Sequence, residues 1–427
     1  MTHPHDDDNL LLAESQDAVD AINSQFYGRI QYPWPPGTFE RVQEPTFWAQ
    51  MLAQDVGSWD RPVLPPGARV WVAGCGTNQA LITALKFPQA AVIGSDLSRE
   101  SLDVCAGNAR QVGAANLELR NESINKTAYR EEFDYVICTG VIHHNANPAA
   151  SLARLAAALK PTGVLELMVY NRYHRTQTTA FQKAVRTLLG KPPGAPNLDE
   201  ETRLARKIID GLRADNLMSA YLQTCKEIPP AQFADRLLQP VEHSYTVESL
   251  AAMAAACGLE LAVPCVDQFS RAAGTVYWFL EVADPELQRL LDTLPDARRW
   301  QVTNLLLAEK SPMLWFYLRR QDPARPRRTV AEVCEAFLNT RFLPSKTKRT
   351  IYLRKPDGRY EAVGSGHDFP GAPKEPLARK VYEALNGNAP LRETVKRLGL
   401  DTGFRTANRL RIHLATSAFP YLTSRDL

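Results

Sequence analysis

The stretch Val70-Trp-Val-Ala-Gly-Cys-Gly-Thr-Asn78, followed by Ala91-Val-Ile-Gly-Ser-Asp96, decides how this chain folds. A short apolar run breaks into closely spaced glycines before a helix, and the next apolar run ends on an acid; this is the geometry of a nucleotide-type cradle. Gly74 and Gly76 let the backbone approach a ligand where a Cβ would collide, and the Asp96 carboxylate can accept both hydroxyls of a ribose. The pairing predicts an adenosine-bearing ligand.

A dinucleotide fingerprint wants a third glycine or alanine three residues after the second, so that helix and strand close around a pyrophosphate. Gln79 occupies that position. The segment instead resembles motif I of the class I S-adenosylmethionine-dependent methyltransferases. The resemblance continues through Phe133-Asp-Tyr-Val-Ile-Cys-Thr-Gly-Val-Ile-His-His144 and Leu159-Lys-Pro-Thr-Gly-Val-Leu-Glu-Leu167, and it covers roughly residues 60 to 320. Two positions depart from the family pattern. Val72 stands where many members carry an acid, and Asn78 where many carry a third glycine, although asparagine tolerates positive φ.

The resemblance implies a set of roles. Ala73, Gly74, Cys75, Gly76 and Asn78 present the turn to the methionine portion of S-adenosylmethionine, and Asp96 takes the ribose. Leu97 packs on adenine, Glu122 and Ser123 stand near its amino edge, and Thr139 and Gly140 line the opposite side. His143 and His144, just past the fourth strand, are the candidate bases, although in resembling sequences such a segment more often shapes the cofactor pocket. Tyr170, Asn171, Arg172, Tyr173, His174 and Arg175 form a dense polar run directly after the fifth strand. Tyr170 and Asn171 are therefore further catalytic candidates, Tyr173 a substrate contact, and Arg172 or Arg175 a partner for a substrate carboxylate or phosphate. Asp134 opens a strand and is expected to make local structural bonds.

Upstream, Phe26-Tyr-Gly-Arg-Ile-Gln-Tyr-Pro-Trp-Pro-Pro-Gly37 is aromatic and proline-rich and is read as a non-helical flap over the cradle. Tyr27, Tyr32 and Trp34 are candidates to touch the sulfonium or the substrate, since a cation on an aromatic face gains about 0.5 to 2 kcal/mol. The same rings would serve equally to staple the N-terminal segment, residues 1–60, to the core.

The remaining pattern alternates strand and helix. Strands are expected at 90–95, 117–120, 133–139 and 164–170, with helices from Ser98 to Val112, stopped by Gly113, and over 148–160. Helical stretches at 179–189 and 200–222 flank Lys191-Pro-Pro-Gly-Ala-Pro-Asn197 and form an insertion over about 171–245, the expected source of substrate selectivity. Thr246 caps a helix to Gly258, and 259–266, 276–282 and 313–319 are expected to complete the sheet. The fold class expected is α/β: a Rossmann-like, doubly wound, mostly parallel seven-stranded sheet with a helical lid. After the linker-like Gln321–Arg328, residues 321–427 read as a small α+β module, winged-helix-like, with a hairpin turning at Pro356-Asp-Gly358.

Composition is that of a globular protein, with 427 residues of which 44% are hydrophobic and 23% charged. No apolar run reaches a bilayer-spanning length, and the acidic start lacks a basic leader, so a cytoplasmic location is expected. Seven cysteines without a Cys-x-x-Cys pair suit reduced thiols, and no metal is expected. The net charge of +3 conceals an asymmetry: residues 1–60 hold ten acids and two bases, residues 319–427 twenty-two bases and eleven acids. A solvated surface is the plain reading of the basic segment; nucleic acid or an acidic peptide is the alternative.

These features point to a methyltransferase acting on nitrogen or oxygen of a small metabolite or peptide. The alternatives are an RNA methyltransferase recruited by the basic C-terminal module, and an S-adenosylmethionine-binding scaffold without turnover. Oligomeric state is left open by the sequence.

Overall fold

The computed structural model describes residues 15–30, 33, 35–190, 197–266, 278–311 and 313–427. Seven strands form the central sheet: β1 (Arg69–Ala73), β2 (Ala91–Asp96), β3 (Leu117–Asn121), β4 (Phe133–Thr139), β5 (Leu159–Tyr170), β6 (Leu259–Pro264) and β7 (Met313–Arg320). Their order is β3-β2-β1-β4-β5-β7-β6, with β7 antiparallel to both neighbours and the other pairings parallel. The doubly wound sheet expected from the sequence is therefore present. The central strand β1 is apolar from Val70 to Ala73, as burial on both faces demands, and all four residues are fully enclosed.

Helices Gln79–Lys86 and Arg99–Val112 touch one another, as do Pro148–Ala158 and Val247–Ala256. Strand order reverses between β1 and β4, so right-handed crossovers put the two pairs on opposite faces and leave a crevice at that switch. Local chemistry sets the helix bounds. Ser98 accepts the Ser101 N–H at 3.1 Å to start Arg99–Val112, and Gly113 ends it at φ 66°, a left-handed conformation glycine adopts without strain. Thr246 and Ser249 form a reciprocal capping box before Val247–Ala256.

Four expectations are corrected. Helix Gln16–Ile30 runs through Phe26–Ile30, so the break comes after Ile30, not before Phe26. The polar run after β5 is the first turn of helix Arg172–Leu189, which begins seven residues earlier than the hydrophobic pattern suggested because Asn171 caps it, accepting the Tyr173 N–H. The expected helix 200–222 is divided into Leu198–Gly211 and Ser219–Gln223. The strand expected over 276–282 is absent at 278–282, while 276 and 277 lie outside the described residues.

The insertion has its own apolar core, with Phe181, Val185, Ile209, Phe233 and Leu237 at its centre. The C-terminal region does not. Val333, Phe337, Phe342 and Leu410 belong to the same continuous cluster as the sheet, and the Gln54 amide donates to the Ala415 and Leu422 carbonyls at 3.2 and 2.9 Å. Its hairpin, Thr347–Arg354 with Tyr360–Phe369, takes Thr38–Val42 as a third, antiparallel strand. Among the described residues no helix is long and apolar enough to cross a membrane.

Candidate active site

The glycine turn is held by its own backbone. Gly74 and Cys75 donate N–H bonds of 2.8 and 2.9 Å to the Ser95 carbonyl, and Gly76 donates at 2.7 Å to Asp96. Gly74 and Gly76 sit at φ 69° and 55°. A Cβ on Gly74 would lie 2.5 Å from Val141, so this position admits glycine alone without a shift. Asn78 has φ −155°, so its tolerance of positive φ is not called upon; the two glycines make the whole bend.

Above this turn lies a cavity of about 530 Å³, of the size usual for a small-molecule site. Asp96 enters it with one carboxylate oxygen on the Gly76 N–H and the other on the Ser98 N–H at 2.8 Å. Burial pushes this carboxyl up from its ordinary range, and backbone N–H groups of Ser98, Gly76 and Leu97 oppose that shift. Gly74, Cys75, Gly76, Asn78, Leu97, Glu122, Ser123, Thr139 and Gly140 also border the cavity. Ala73 lies one residue below it, fully buried in β1. The geometry thus brings the Asp96 carboxylate, the glycine turn and Leu97 to one cavity, and an adenosyl ligand fits these residues.

Helix Gln16–Ile30 forms one wall. Its Asn23 donates to the His144 carbonyl at 2.7 Å, its Asp20 accepts from Ser123 at 2.6 Å, and Tyr27 faces the cavity while accepting from Gln239 at 2.9 Å. Asp20, Asn23 and Tyr27 follow i, i+3, i+7 spacing, one face of a helix, a signal that was hidden by reading the aromatic stretch as a flap. Tyr32 and Trp34 lie outside the described residues. Across the cavity stand Met168, Met313 and Trp315, which sequence reasoning passed over although Met313, Trp315 and Tyr317 alternate as one face of a strand must.

The histidines part company. His144 borders the cavity; its Nδ1 lies 2.8 Å from the Val241 carbonyl, and burial holds its pKa down at about 4. His143 is fully buried, neither ring nitrogen has a hydrogen-bond partner, and its ring lies 4.0 Å from that of Tyr170. Burial first, then His144 and Arg175, keeps it neutral. His143 does not border the cavity, so the structure favours only His144 for contact with a ligand.

The polar run after β5 is also redirected, and for Arg175 and Asn171 the expectation needs correction. Arg175 is 4% exposed; its Nε donates to Glu242 at 2.6 Å, and its guanidinium lies 4.4 Å over the Tyr170 ring. No substrate anion can displace Glu242 there without leaving a buried carboxylate unpaired. Asn171 caps its helix, accepts from Asn304 at 3.0 Å and donates to the Ser311 carbonyl at 2.7 Å. Arg172 donates to the Ser244 carbonyl at 3.3 Å, and neither it nor Tyr170 and Tyr173 borders the cavity. Asp134 does what its strand position suggested, accepting the Arg69 N–H at 2.9 Å and the Lys160 ammonium at 2.8 Å.

A family model for a methyltransferase domain matches residues 66–192. An uncharacterised protein of Synechococcus sp. is 28% identical over 249 residues, 56% of this chain and 58% of that protein, so the chain spans little more than half of that relative. The ubiquinone biosynthesis O-methyltransferase of Photobacterium profundum is 29% identical over 168 residues, 36% of this chain and 71% of that enzyme. The structure of PKMT2 from Rickettsia typhi, solved also in complex with AdoHcy, superposes over 92% of this chain and 76% of its own with a TM-score of 0.55 at 16% identity, a likeness of fold. Motif blocks, strand order and a glycine turn facing Asp96 agree with that match, and residues 66–192 form a methyltransferase domain of the class I, S-adenosylmethionine-dependent kind.

Proposed function

We propose that this chain transfers a methyl group from S-adenosylmethionine to nitrogen or oxygen of a small metabolite or peptide. One observation carries the reading: the glycine turn, Asp96 and Leu97 border the same cavity as Thr139, Gly140 and Met168. When bound, the cofactor supplies an electrophilic methyl on a sulfonium. The chain's task is to hold acceptor and methyl in line and to keep water out, which needs no covalent residue. Asp96 takes the ribose, Glu122 and Ser123 stand at the adenine edge, and Tyr27 and Trp315 offer aromatic faces near the reacting end. Tyr27 and His144 border the cofactor's own cavity, where burial holds His144 neutral.

The RNA reading is weakened by where the C-terminal bases go. Arg341 pairs with Asp426 at 3.0 Å, Arg409 with Glu375 and Arg379 with Glu383 at 2.9 Å, and Arg349 with Glu40 at 2.8 Å. Much of the basic charge is thus balanced locally. Calorimetry with S-adenosylmethionine, followed by transfer of labelled methyl into small-molecule, peptide and RNA fractions of an extract, tests all three readings. Label in the first two fractions is the expected outcome. Uptake of the ligand with no labelled fraction would favour the scaffold, and NADH binding in its place would end the reading.

A further inference from the structure

A second cavity, of about 700 Å³, lies against the first and shares Gln79, Ile82 and Trp315 with it. Their floors are one sheet face. Thr139 and Met168 underlie the cofactor cavity, Tyr135 and Glu166 underlie the second, and Trp315, paired with Met168 across β5 and β7, stands at the junction. The roof comes from elsewhere in the chain: Phe369, Gly371, Ala418 and Tyr421, all from the C-terminal region.

The charges along this cavity are unevenly matched. Glu40 and Arg349 pair with each other at 2.8 Å, and Asp368 has Lys348 at 3.7 Å. The Lys86 ammonium rests over the Trp48 ring, 5.0 Å from its centre. Glu166 has no ion-pair partner among the described residues; it accepts from the Tyr135 hydroxyl and, at 2.9 Å, from the Trp315 indole N–H. The Lys86 ammonium acts on Glu166 through space but forms no ion pair with it, so a carboxylate oriented by two rings and walled by further aromatics still gains from a cation that binds it directly. An ammonium gains there both from the carboxylate and from the aromatic faces.

We infer that this second cavity is the methyl-acceptor site, that the C-terminal region forms its roof, and that it takes a primary or secondary amine on an apolar stem, with Glu166 holding the nitrogen. This rests on the methyltransferase reading above and deepens it from nitrogen or oxygen to nitrogen. Methylation of such an amine forms one N–C bond as the S–C bond breaks, the sulfur keeping its electron pair, and it releases one proton. Glu166 faces the cavity as acceptor of that proton, and burial raises its pKa, which favours the role. Selectivity then belongs to the C-terminal region and not to the helical insertion, none of whose described residues borders this cavity.

The test is calorimetry on the full chain saturated with S-adenosylhomocysteine, titrated with hexylamine and with hexanol. Hexylamine is expected to bind at least ten-fold more tightly than hexanol. Glu166→Gln should reduce that preference to within two-fold while S-adenosylhomocysteine affinity stays within two-fold, which also shows that the variant is folded. Gly371→Trp, at an exposed position where an added Cβ meets nothing within 4 Å, should weaken both titrants at least five-fold and leave the adenosyl ligand unaffected. Equal binding of amine and alcohol, or a preference that survives Glu166→Gln, overturns the amine assignment. Unchanged binding in Gly371→Trp overturns the site. Failure of the wild-type chain to take up S-adenosylhomocysteine is a different result and removes the methyltransferase reading beneath it.

Discussion

Two polar clusters stand at the carboxyl ends of the strands, and they resolve in opposite ways. Around Asp96 the donors are backbone N–H groups from Gly76 and Ser98, and the carboxylate still faces open space. Around Arg175 the partners are the Glu242 carboxylate, the Tyr170 ring and the Arg236 carbonyl, which leave the guanidinium fully engaged. The second cluster holds more charged and aromatic groups, yet it makes a seam between sheet and insertion. Functional polarity is marked by capacity left over, since buried groups that complete each other have none to offer a ligand.

The largest effect that would break this contrast is on stability. Arg175→Met strands Glu242 in the interior and should cost about 3 to 5 kcal/mol in urea unfolding, while affinity for S-adenosylmethionine in the folded protein stays within two-fold. A loss of affinity without loss of stability would move Arg175 to the ligand side of the comparison.

The same seam should make stability fall in mild acid. Burial holds the His144 pKa down at about 4 in the folded chain, below the 6.5 usual for an exposed histidine, so between these values the unfolded chain binds the proton more readily. Its contribution is complete above pH 6.5, declines as pH falls toward 4, and amounts to roughly 3 kcal/mol over that window. Wild type and His144→Asn, unfolded in urea at pH 7.5 and 4.5, should differ in slope by an amount of that order, with the variant the flatter. Identical slopes would show that His144 is solvated.

On the other side, Asp96→Ala removes a charged acceptor from the cavity and should weaken S-adenosylmethionine binding by roughly 10- to 100-fold, the equivalent of about 1.5 to 3 kcal/mol. Unchanged affinity by calorimetry would place the ribose elsewhere. The smallest effect is expected for Asn171→Ala, about 1 kcal/mol of stability from the lost helix cap, with ligand affinity unaltered. A drop in methyl transfer at constant stability would return Asn171 to the catalytic list.

The parts legible in the sequence share one physical property: they are dictated by neighbours in the chain. Gly74 and Gly76 make a bend that only their own φ values permit, Ser98 and Gly113 bound a helix by local hydrogen bonds, and β4 is apolar because both its faces are covered. The parts misread depend on partners far away. Arg175 looks free until Glu242 folds onto it, 67 positions later. Trp315 looks like core until Met168 and Gln79 leave room beside it. The helix through Phe26 was obscured by the prolines that follow it, which end the helix without preventing it. The C-terminal bases suggested a surface for polyanions because a sequence does not show that Glu335, Glu375 and Asp426 lie within ion-pairing reach of them.

Among the described residues the strand Thr38–Val42 pairs only with Thr347–Arg354, Glu40 meeting Arg349 across 309 positions. A polypeptide emerging from the ribosome can assemble β1 to β5 long before that mate exists. The early edge must wait, exposed, until residues 347–354 have been made. Closure of this ribbon is then a late, long-range event, intrinsically slow, and a prematurely terminated product would carry an unmatched edge and lack the roof of the second cavity. Closure of the edge and of the roof thus waits on one stretch of chain, residues 347–371.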